Sequence, residues 1–286
     1  MRDNTRKPRP RRGPEALGPA GAVLIAASVA VLTAATAAAQ RPTGPAGRTC
    51  AIAYATLGET GEPTGEITTD QMEVALAQIH EGVLVIDARP YEEFAMSHIS
   101  GAVNVAPKPG LSMSQFTSDV GEIEKLTQAR KNGMIVLYCN GPFCGKSKRL
   151  AADLLAAGYT HVVRYQLGIP VWRALGHPTQ AEGDAIRATL DKDRTAVVID
   201  AREPEAFRTG SIAGARNVRF ADVAKAKDDG RLPMLDHNTR IFVLGKDGAE
   251  ARAAAEEIAK NAFHNVSFYA GPIEALMQTP AGSGSR

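Results

Sequence analysis

The sequence predicts an α/β protein built from two tandem copies of one domain, each with a mainly parallel sheet flanked by helices. Short apolar runs alternate with helix-forming stretches along most of the chain, a pattern typical of parallel sheets. A motif that begins at Asp87 returns at Asp200, which indicates an internal repeat. The length of 286 residues also fits two domains better than one.

The repeat keeps both its motif and the spacing that follows the motif. Residues 87–94 (DARPYEEF) correspond to residues 200–207 (DAREPEAF), displaced by 113 positions. Five more pairs match at that displacement: Ile99 and Ile212, Gly101 and Gly214, Ala102 and Ala215, Asn104 and Asn217, and Val105 and Val218. This agreement predicts one domain at residues 66–178 and a second at residues 179–280.

The first copy contains the elements of such a sheet in order. Its apolar runs predict buried strands at residues 83–86, 135–138 and 161–165. Helix-forming stretches follow at residues 113–127, 146–157 and 168–176. Strand and helix therefore alternate, as a parallel sheet with helical crossovers requires.

The chemistry of the chain is predicted at residues 135–147 (IVLYCNGPFCGKS). The apolar strand ends at Cys139, a turn-prone Asn-Gly-Pro follows, and the chain is expected to enter a helix at Ser147, a good N-cap residue. A thiol between a strand end and a helix N-terminus lies where free backbone N–H groups favour an anion and lower the thiol pKa. We therefore interpret Cys139 as a nucleophile.

A second cysteine in the segment leaves alternatives open. Cys144 lies nearer the expected helix start, so it is either an alternative nucleophile or a resolving thiol, and the two thiols could pair in an oxidising compartment. Cys139 could also be a buried thiol without chemistry. No histidine or further cysteine lies close in sequence, so neither a metal site nor a cofactor is expected. The role of Cys50 stays open.

The second copy lacks the thiol. Its counterpart of the strand before Cys139 is residues 241–244, and Gly245 follows that strand. Asp247 and Glu250 lie at the start of the next helix, where their negative charge would repel an anion. We expect this copy to be a domain without the catalytic cysteine.

Taken in order, these landmarks resemble the rhodanese family. They are an Asp-x-Arg block, a His-Ile-x-Gly-Ala-x-Asn motif, a cysteine between strand and helix, and Gly-Ile-x-x-Trp, found here at Asp87 and Arg89, residues 98–104, Cys139 and residues 168–172. The resemblance covers about residues 66–280 as a tandem pair, similar to thiosulfate sulfurtransferases.

The chain departs from the family pattern in two ways. In many tandem rhodaneses the C-terminal copy carries the cysteine, whereas here the N-terminal copy does. The loop is also longer than the usual Cys-x-x-Gly-x-Arg-Ser form, and Lys146 stands where that form has Arg. A lysine supplies positive charge without the bidentate geometry of a guanidinium.

The resemblance implies a sulfurtransferase. The Cys139 thiolate would take the outer sulfur of a small anionic donor such as thiosulfate and hold it as a persulfide, until cyanide or a thiol accepts it. The residues implied to bind the donor are Asn140, Gly141, Phe143, Gly145, Lys146 and Ser147. A persulfide carrier or a thiol-based binding and redox module with little turnover is the alternative. Phosphatase or arsenate chemistry ranks lower, because its Cys-x5-Arg loop needs an arginine that this loop lacks.

The N-terminus predicts where the protein acts. Residues 1–39 hold six Lys and Arg, then an apolar stretch ending in Ala-Ala-Ala, which are the parts of a signal peptide cleaved after Ala39. We expect an exported protein, periplasmic or secreted, with no stable membrane insertion after cleavage; an uncleaved membrane anchor that faces outside is the alternative. Residues 40–65 are expected to be a linker and residues 281–286 a disordered tail. The net charge of +2 comes from the basic N-terminus, so nucleic-acid binding is not expected.

Overall fold

The structure is a computed structural model that describes residues 64–108, 110 and 118–278. The predictions for the signal peptide at residues 1–39, for nearly all of the linker at 40–65 and for the tail at 281–286 lie outside the described residues, as does Cys50. The beginning of the helix predicted from residue 113 lies outside them as well.

The first domain is built on a five-stranded parallel sheet. Its strands are β1 (Gly65–Glu66), β2 (Leu84–Asp87), β3 (Val103–Asn104), β4 (Ile135–Tyr138) and β5 (Val162–Tyr165). Their spatial order is β1-β5-β4-β2-β3, so β4 lies at the centre. Every neighbouring pair is parallel, which brings the carboxyl ends of the strands to one edge of the sheet.

The second domain repeats this sheet. Its strands are β6 (Thr179–Ala181), β7 (Val197–Asp200), β8 (Arg216–Asn217), β9 (Ile241–Gly245) and β10 (Val266–Pro272), in the order β6-β10-β9-β7-β8. Asp200 pairs with Leu244 as Asp87 pairs with Tyr138, so Gly245 occupies the place of Cys139. The prediction of two α/β domains with parallel sheets is confirmed.

Helices flank both sheets. In the first domain they are α1 (Thr69–Ala77), α2 (Tyr91–Met96), α3 (Asp119–Thr127), α4 (Gly145–Ala156) and α5 (Gly168–Ala174). In the second domain they are α6 (Gly183–Lys192), α7 (Pro204–Thr209), α8 (Val223–Asp228), α9 (Gly248–Ala259) and α10 (Glu274–Met277). Short 3-10 turns at Ile79–Glu81 and Phe220–Asp222 complete the described elements.

Both faces of β4 are buried, which explains its continuous apolar sequence. One face packs against α1 and α5 through Val136, Tyr138, Met72, Ile169 and Trp172. The opposite face packs against α3 and α4 through Ile135, Leu137, Ile123, Leu150 and Leu154. A strand covered by helices on both sides has no polar face to present, so its residues do not alternate in polarity.

A buried Asp–Arg pair lies at the end of the equivalent strand in each domain. Asp87 is fully buried, and Arg89 donates to it from its backbone N–H and from its guanidinium Nε, at 2.9 Å in both cases. Asp200 and Arg202 make the same two contacts at 3.0 Å. Burial lowers the pKa of Arg89, but the hydrogen bonds and charge of Asp87 outweigh burial and the pKa is raised. Because the pair also occurs in the domain without the cysteine, it is a structural feature of the fold.

The two domains are joined along a short backbone seam. His98 N donates to Gln180 O and Gln180 N donates to His98 O, both at 2.8 Å, as an isolated antiparallel bridge. Glu182 N donates to Ala95 O at 2.7 Å, and Ser100 Oγ donates to Gln180 Oε1 at 3.0 Å. The chain after α2 is therefore bonded to β6, the edge strand of the second sheet.

The His98 side chain is buried at this seam. It is 1% exposed, its ring stacks on Phe94 with 3.9 Å between centroids, and Nδ1 lies 2.9 Å from Phe94 O. Its Nε2 lies 3.8 Å from Glu182 Oε1. Burial lowers the pKa of His98 to about 4. The hydrogen bond with the Phe94 carbonyl and the charge of Asp87 raise this pKa, but burial has the larger effect. The imidazole is therefore neutral near pH 7.

We predict that Asp87→Asn lowers the free energy of unfolding by about 3 kcal/mol, because the buried guanidinium of Arg89 loses its paired carboxylate. The matched Asp200→Asn variant should lose less, since Arg202 also donates to Glu274 Oε1 at 2.9 Å. Hydrogen exchange read by mass spectrometry measures the two domains separately. Equal destabilisation of both domains would contradict the prediction.

We also predict that His98 destabilises the folded protein as the pH falls from about 6.5 to about 4. In that range His98 binds a proton in the unfolded chain and not in the folded one, so the free energy of unfolding should fall by about 3 kcal/mol. The variant His98→Gln should lack this loss, so the stability difference from wild type should shrink toward pH 4. Urea unfolding at several pH values measures it, with His161→Gln at an exposed position as the control. A difference that does not change with pH would rule the prediction out.

Candidate active site

Cys139 follows directly on β4, at the carboxyl edge of the first sheet. Its carbonyl accepts a hydrogen bond from Ile169 N, at the start of α5, at 3.2 Å. The chain then turns at Gly141, which is buried and has a φ of +99°, and Cys144 N donates to Gly141 O at 3.0 Å. The result is a tight loop between the central strand and α4.

Helix α4 begins two residues before the predicted entry point. The prediction of a start at Ser147 is wrong, because α4 begins at Gly145 with Cys144 as its N-cap residue. The turn that closes on Cys144 directs the backbone into the helix at once, and the Ser147 side chain is buried within the first turn. Cys144 makes no side-chain cap hydrogen bond, and the first turn contains no acidic residue. The N–H groups of this turn have no intrahelical acceptor, so they remain suited to an anion.

The two cysteines of the loop form a disulfide bridge. Cys139 and Cys144 are bonded through their sulfur atoms, with 6.2 Å between their Cα atoms, a separation common for disulfides. The sequence left this pairing open. Cys139 is 2% exposed in the bridged state, and neither sulfur is a thiolate there. Nucleophilic chemistry at either position therefore requires reduction first.

The residues predicted to bind the donor differ in their exposure and in their bonding partners. Asn140 is exposed, and its Nδ2 donates to Glu93 Oε2 at 2.5 Å. Phe143, at the tip of the loop, is 87% exposed. Gly145 and Lys146 are exposed on the first turn of α4. The loop thus brings together a cysteine pair, a helix N-terminus and a lysine, while the Asn140 amide is bonded to an acidic side chain on α2.

Basic side chains lie in the first two turns of α4, and its first turn contains no acidic residue. Lys146 and Arg149 both act on Asp119 at the start of α3. Burial raises the pKa of Asp119, and the charges of Arg149 and Lys146 oppose that rise. Positive charge near a helix N-terminus adds to the dipole and favours both a thiolate and an anionic ligand.

In the equivalent loop of the second domain, carboxylate side chains accept hydrogen bonds from the backbone N–H groups. Ile273 N donates to Gly245 O at 2.9 Å, which repeats the contact that α5 makes with Cys139 O. Asp247 Oδ1 accepts from Glu250 N at 2.8 Å, and Glu250 Oε2 accepts from Lys246 N at 2.8 Å. These acids occupy backbone donors at the N-terminus of α9 and oppose anion binding there.

A buried chain of hydrogen bonds holds the first-domain loop from below. Gln166 Nε2 donates to Pro142 O at 2.7 Å, and Arg164 Nη1 donates to Gln166 Oε1 at 2.6 Å. Arg164 is 1% exposed and also donates to Glu66 Oε1 and Thr64 Oγ1, both at 2.9 Å. Sequence reasoning missed this support, although an arginine inside the apolar run of β5 was a signal that could have revealed it, since a buried charge needs partners.

Two cavities lie at the boundary between the domains rather than at the loop. One, of about 480 Å³, is lined by residues of α2 and α6, among them Tyr91, Met96 and Lys192. The other, of about 700 Å³, is lined by residues that include Trp172 and His177. Neither lining contains a residue from Cys139 to Ser147. Over residues 64–108, 110 and 118–278 we find neither a cluster of His, Cys, Asp and Glu that could hold a metal ion nor a helix that could cross a membrane.

The sequence matches the rhodanese-like domain family twice, over residues 71–175 and 183–279. It is 31% identical over 97 residues to thiosulfate sulfurtransferase 16, chloroplastic, of Arabidopsis thaliana, covering 34% of the chain and 78% of that protein. It is 29% identical over 124 residues to the mitochondrial protein HIGH ARSENIC CONTENT 1 of the same plant, covering 41% of the chain and 68% of that protein.

Two solved structures overlap with both domains. The match to the thiosulfate sulfurtransferase of Pseudomonas aeruginosa covers 76% of this chain and 43% of that protein's chain, at 21% identity and a TM-score of 0.29. The match to EanB covers 76% of this chain and 60% of the EanB chain, at 18% identity and a TM-score of 0.32. Overlap at this level carries no argument about the chemistry of the site.

We predict that Gly168→Ala disrupts the loop. Gly168 has a φ of +62°, and a Cβ there would lie 2.6 Å from Gly141 N and closer still to Cys139 O. The left-handed backbone and the clash together should lower the free energy of unfolding by about 2 kcal/mol or more. They should also change the rate at which iodoacetamide alkylates the reduced thiols. Gly133→Ala is the matched control, because a Cβ at Gly133 meets no atom within 4 Å. Identical melting and alkylation in the two variants would overturn the prediction.

Proposed function

From the premise that the chain belongs to the rhodanese family, we propose that it is an exported sulfurtransferase that carries sulfane sulfur on Cys139 as a persulfide. The observation that carries the proposal is the contrast between the two loops. In the first domain a cysteine ends the central strand beside a helix N-terminus with no side-chain cap. In the second domain a glycine takes that place and acidic side chains cap the helix.

In the proposed reaction one sulfur atom is transferred twice, first from the donor to Cys139 and then from Cys139 to the acceptor. After reduction of the bridge, the Cys139 thiolate attacks the outer sulfur of an anionic donor such as thiosulfate. The sulfur–sulfur bond of the donor breaks, sulfite leaves with the electron pair, and a persulfide remains on Cys139. A thiophilic acceptor, cyanide or a thiol, then takes the outer sulfur and the Cys139 thiolate returns.

The loop supplies the electrostatic support for both transfers. The N–H groups of the first turn of α4, which begins at Gly145, have no acceptor within the helix and no side-chain cap, so they can donate to an anion. Preorganised donors of this kind stabilise charge that develops during the reaction. Lys146 adds positive charge from an exposed position. Because a lysine lacks the forked geometry of arginine, it places less demand on the shape of the anion.

Thiosulfate is the donor to test first. The family and the name of the Arabidopsis thaliana relative, thiosulfate sulfurtransferase, support this choice. The longer loop and Lys146 in place of arginine leave room for other small sulfur anions. Export is supported by the basic, apolar and Ala-rich parts of residues 1–39, so the mature protein is proposed to begin at Gln40 and to act in the periplasm or outside the cell.

A persulfide carrier is the second candidate. Phe143 is 87% exposed at the tip of the loop, four residues from Cys139, and a large exposed aromatic side chain is the type that protein partners bury. In that case the acceptor is a thiol on another protein, and the domain without the cysteine contributes binding rather than chemistry. Transfer to a protein thiol without transfer to cyanide would favour the carrier.

We predict that the reduced Cys144→Ser protein gains one sulfur atom when it is treated with thiosulfate, and that Cys139→Ser gains none, because Cys139 is the attacking thiolate. Intact mass spectrometry of the protein from Gln40 onward measures the gain, and Cys50→Ser is the control that should behave as wild type. Cyanide added to the loaded protein should remove the sulfur as thiocyanate. If Cys139→Ser gained a sulfur atom and Cys144→Ser gained none, the nucleophile would be Cys144 and not Cys139. No gain on either would exclude thiosulfate as the donor.

A further inference from the structure

We propose that Cys144 is the resolving thiol of this site: it attacks the persulfide on Cys139, releases the transferred sulfur as hydrosulfide and leaves the disulfide seen in the structure. The inference rests on the proposed function, because Cys144 discharges only a sulfur that Cys139 has first accepted. It adds an activity to that function, which is the reduction of sulfane sulfur with a dithiol as the source of electrons.

The first support is that backbone contacts hold the loop on both sides of the bridge. Cys139 O accepts from Ile169 N at 3.2 Å, and Cys144 N donates to Gly141 O at 3.0 Å. Pro142 O, midway between the cysteines, accepts from Gln166 Nε2 at 2.7 Å. The loop takes part in all three contacts through backbone atoms, and none of the contacts uses a cysteine sulfur. The reduced loop can therefore hold the two sulfurs close together.

The second support is access. Cys139 is 2% exposed beneath the bridge, whereas Cys144 is partly exposed at the N-cap of α4. In the bridged state Cys139 is therefore less accessible to an external acceptor than Cys144 is. A thiol already held on the same loop acts at a high effective concentration, so it competes well against acceptors from solution.

The third support is the local charge. Cys144 lies at the N-terminus of the 12-residue helix α4, whose first turn contains Lys146 and no acidic residue. A helix N-terminus and a nearby cation both favour the thiolate, which is the form that attacks a persulfide. The second domain offers neither cysteine, since Gly245 is the last residue of β9 and Asp247 caps α9.

The proposed step balances in atoms and electrons. The Cys144 thiolate attacks the inner sulfur of the protonated persulfide, which is Cys139 Sγ, and a bond forms between the two Sγ atoms. The bond from Cys139 Sγ to the outer sulfur breaks, and hydrosulfide leaves with the electron pair and the persulfide proton. The outer sulfur is reduced by two electrons while the two cysteines are oxidised to the disulfide. A dithiol reductant then restores both thiols by thiol–disulfide exchange and is itself oxidised to a disulfide.

The reaction therefore depends on one class of reaction that supplies the reduced dithiol and on another that consumes its sulfur products. When thiosulfate is the donor, the products of each cycle are sulfite, hydrosulfide and the oxidised dithiol. A disulfide reductase must regenerate the dithiol, and reactions that consume sulfite and hydrosulfide must follow. A transferase without a resolving thiol would instead pass the sulfur to its acceptor and need no reductant.

A single-turnover experiment tests the inference. The protein from Gln40 onward is reduced, freed of reductant, and mixed with excess thiosulfate. Wild type should release one equivalent of hydrosulfide, lose two titratable thiols, and show the mass of the disulfide with no added sulfur. Cys144→Ser should keep one extra sulfur and release hydrosulfide at least about ten times more slowly, because the intramolecular attack is lost. Cys50→Ser is the matched control and should behave as wild type.

The outcomes separate the inference from the function on which it rests. A wild-type protein that keeps the extra sulfur and releases no hydrosulfide would overturn the resolving role and leave the sulfurtransferase intact. Sulfur uptake by Cys139→Ser alone would also overturn it, because the roles of the two cysteines would be exchanged. No uptake by any of Cys139→Ser, Cys144→Ser and Cys144→Ala, with native circular dichroism, would remove the proposed function itself.

Discussion

The hydrogen bond from Ile169 N to Cys139 O connects the start of α5 to the loop that follows β4, and the rest of the site depends on it. Because β4 and β5 are parallel neighbours, they end at the same edge, and the helix after β5 begins beside the loop after β4. Gly168 permits this approach, since it has a positive φ and no Cβ to meet the loop backbone. The contact recurs between Ile273 and Gly245, so it belongs to the scaffold rather than to the cysteine.

The duplicated scaffold presents two different loops on the same arrangement of strands and helices. Both domains have the same strand order, the same Asp–Arg pair and the same bond beneath the loop. They differ in the residues from the end of the central strand through the first turn of the next helix. In the first domain these residues include two cysteines and Lys146, and in the second they include two acids that accept from backbone N–H groups there. The two copies therefore differ at the place where the chemistry is proposed.

In the proposed reaction, redox state and sulfur transfer are linked at the loop because both use the same two sulfur atoms. The disulfide keeps Cys139 from acting as a nucleophile, and reduction frees it. The support from Gln166 and Arg164 reaches the carbonyl of Pro142 and neither sulfur. A resolving role for Cys144 makes the bridged form a regular stage of the reaction rather than a damaged state.

The sequence by itself determined the duplicated α/β fold and the position of Cys139 at the end of the central strand. These features follow from repeats and apolar runs, which are properties of neighbouring residues in the chain. The sequence also shows that the second copy has no thiol at this position, because Gly245 follows the apolar run that corresponds to the one before Cys139.

Only the tertiary structure decided the pairing of Cys139 with Cys144, the start of α4 at Gly145 and the burial of His98 against the second domain. The support through Arg164 joins positions about 100 residues apart in the chain, as in its bond to Thr64. A buried charge such as that of Arg164 needs partners that are distant in sequence. The bridge joins cysteines only five residues apart, but it depends on the path of the loop in space, which the residue pattern did not specify.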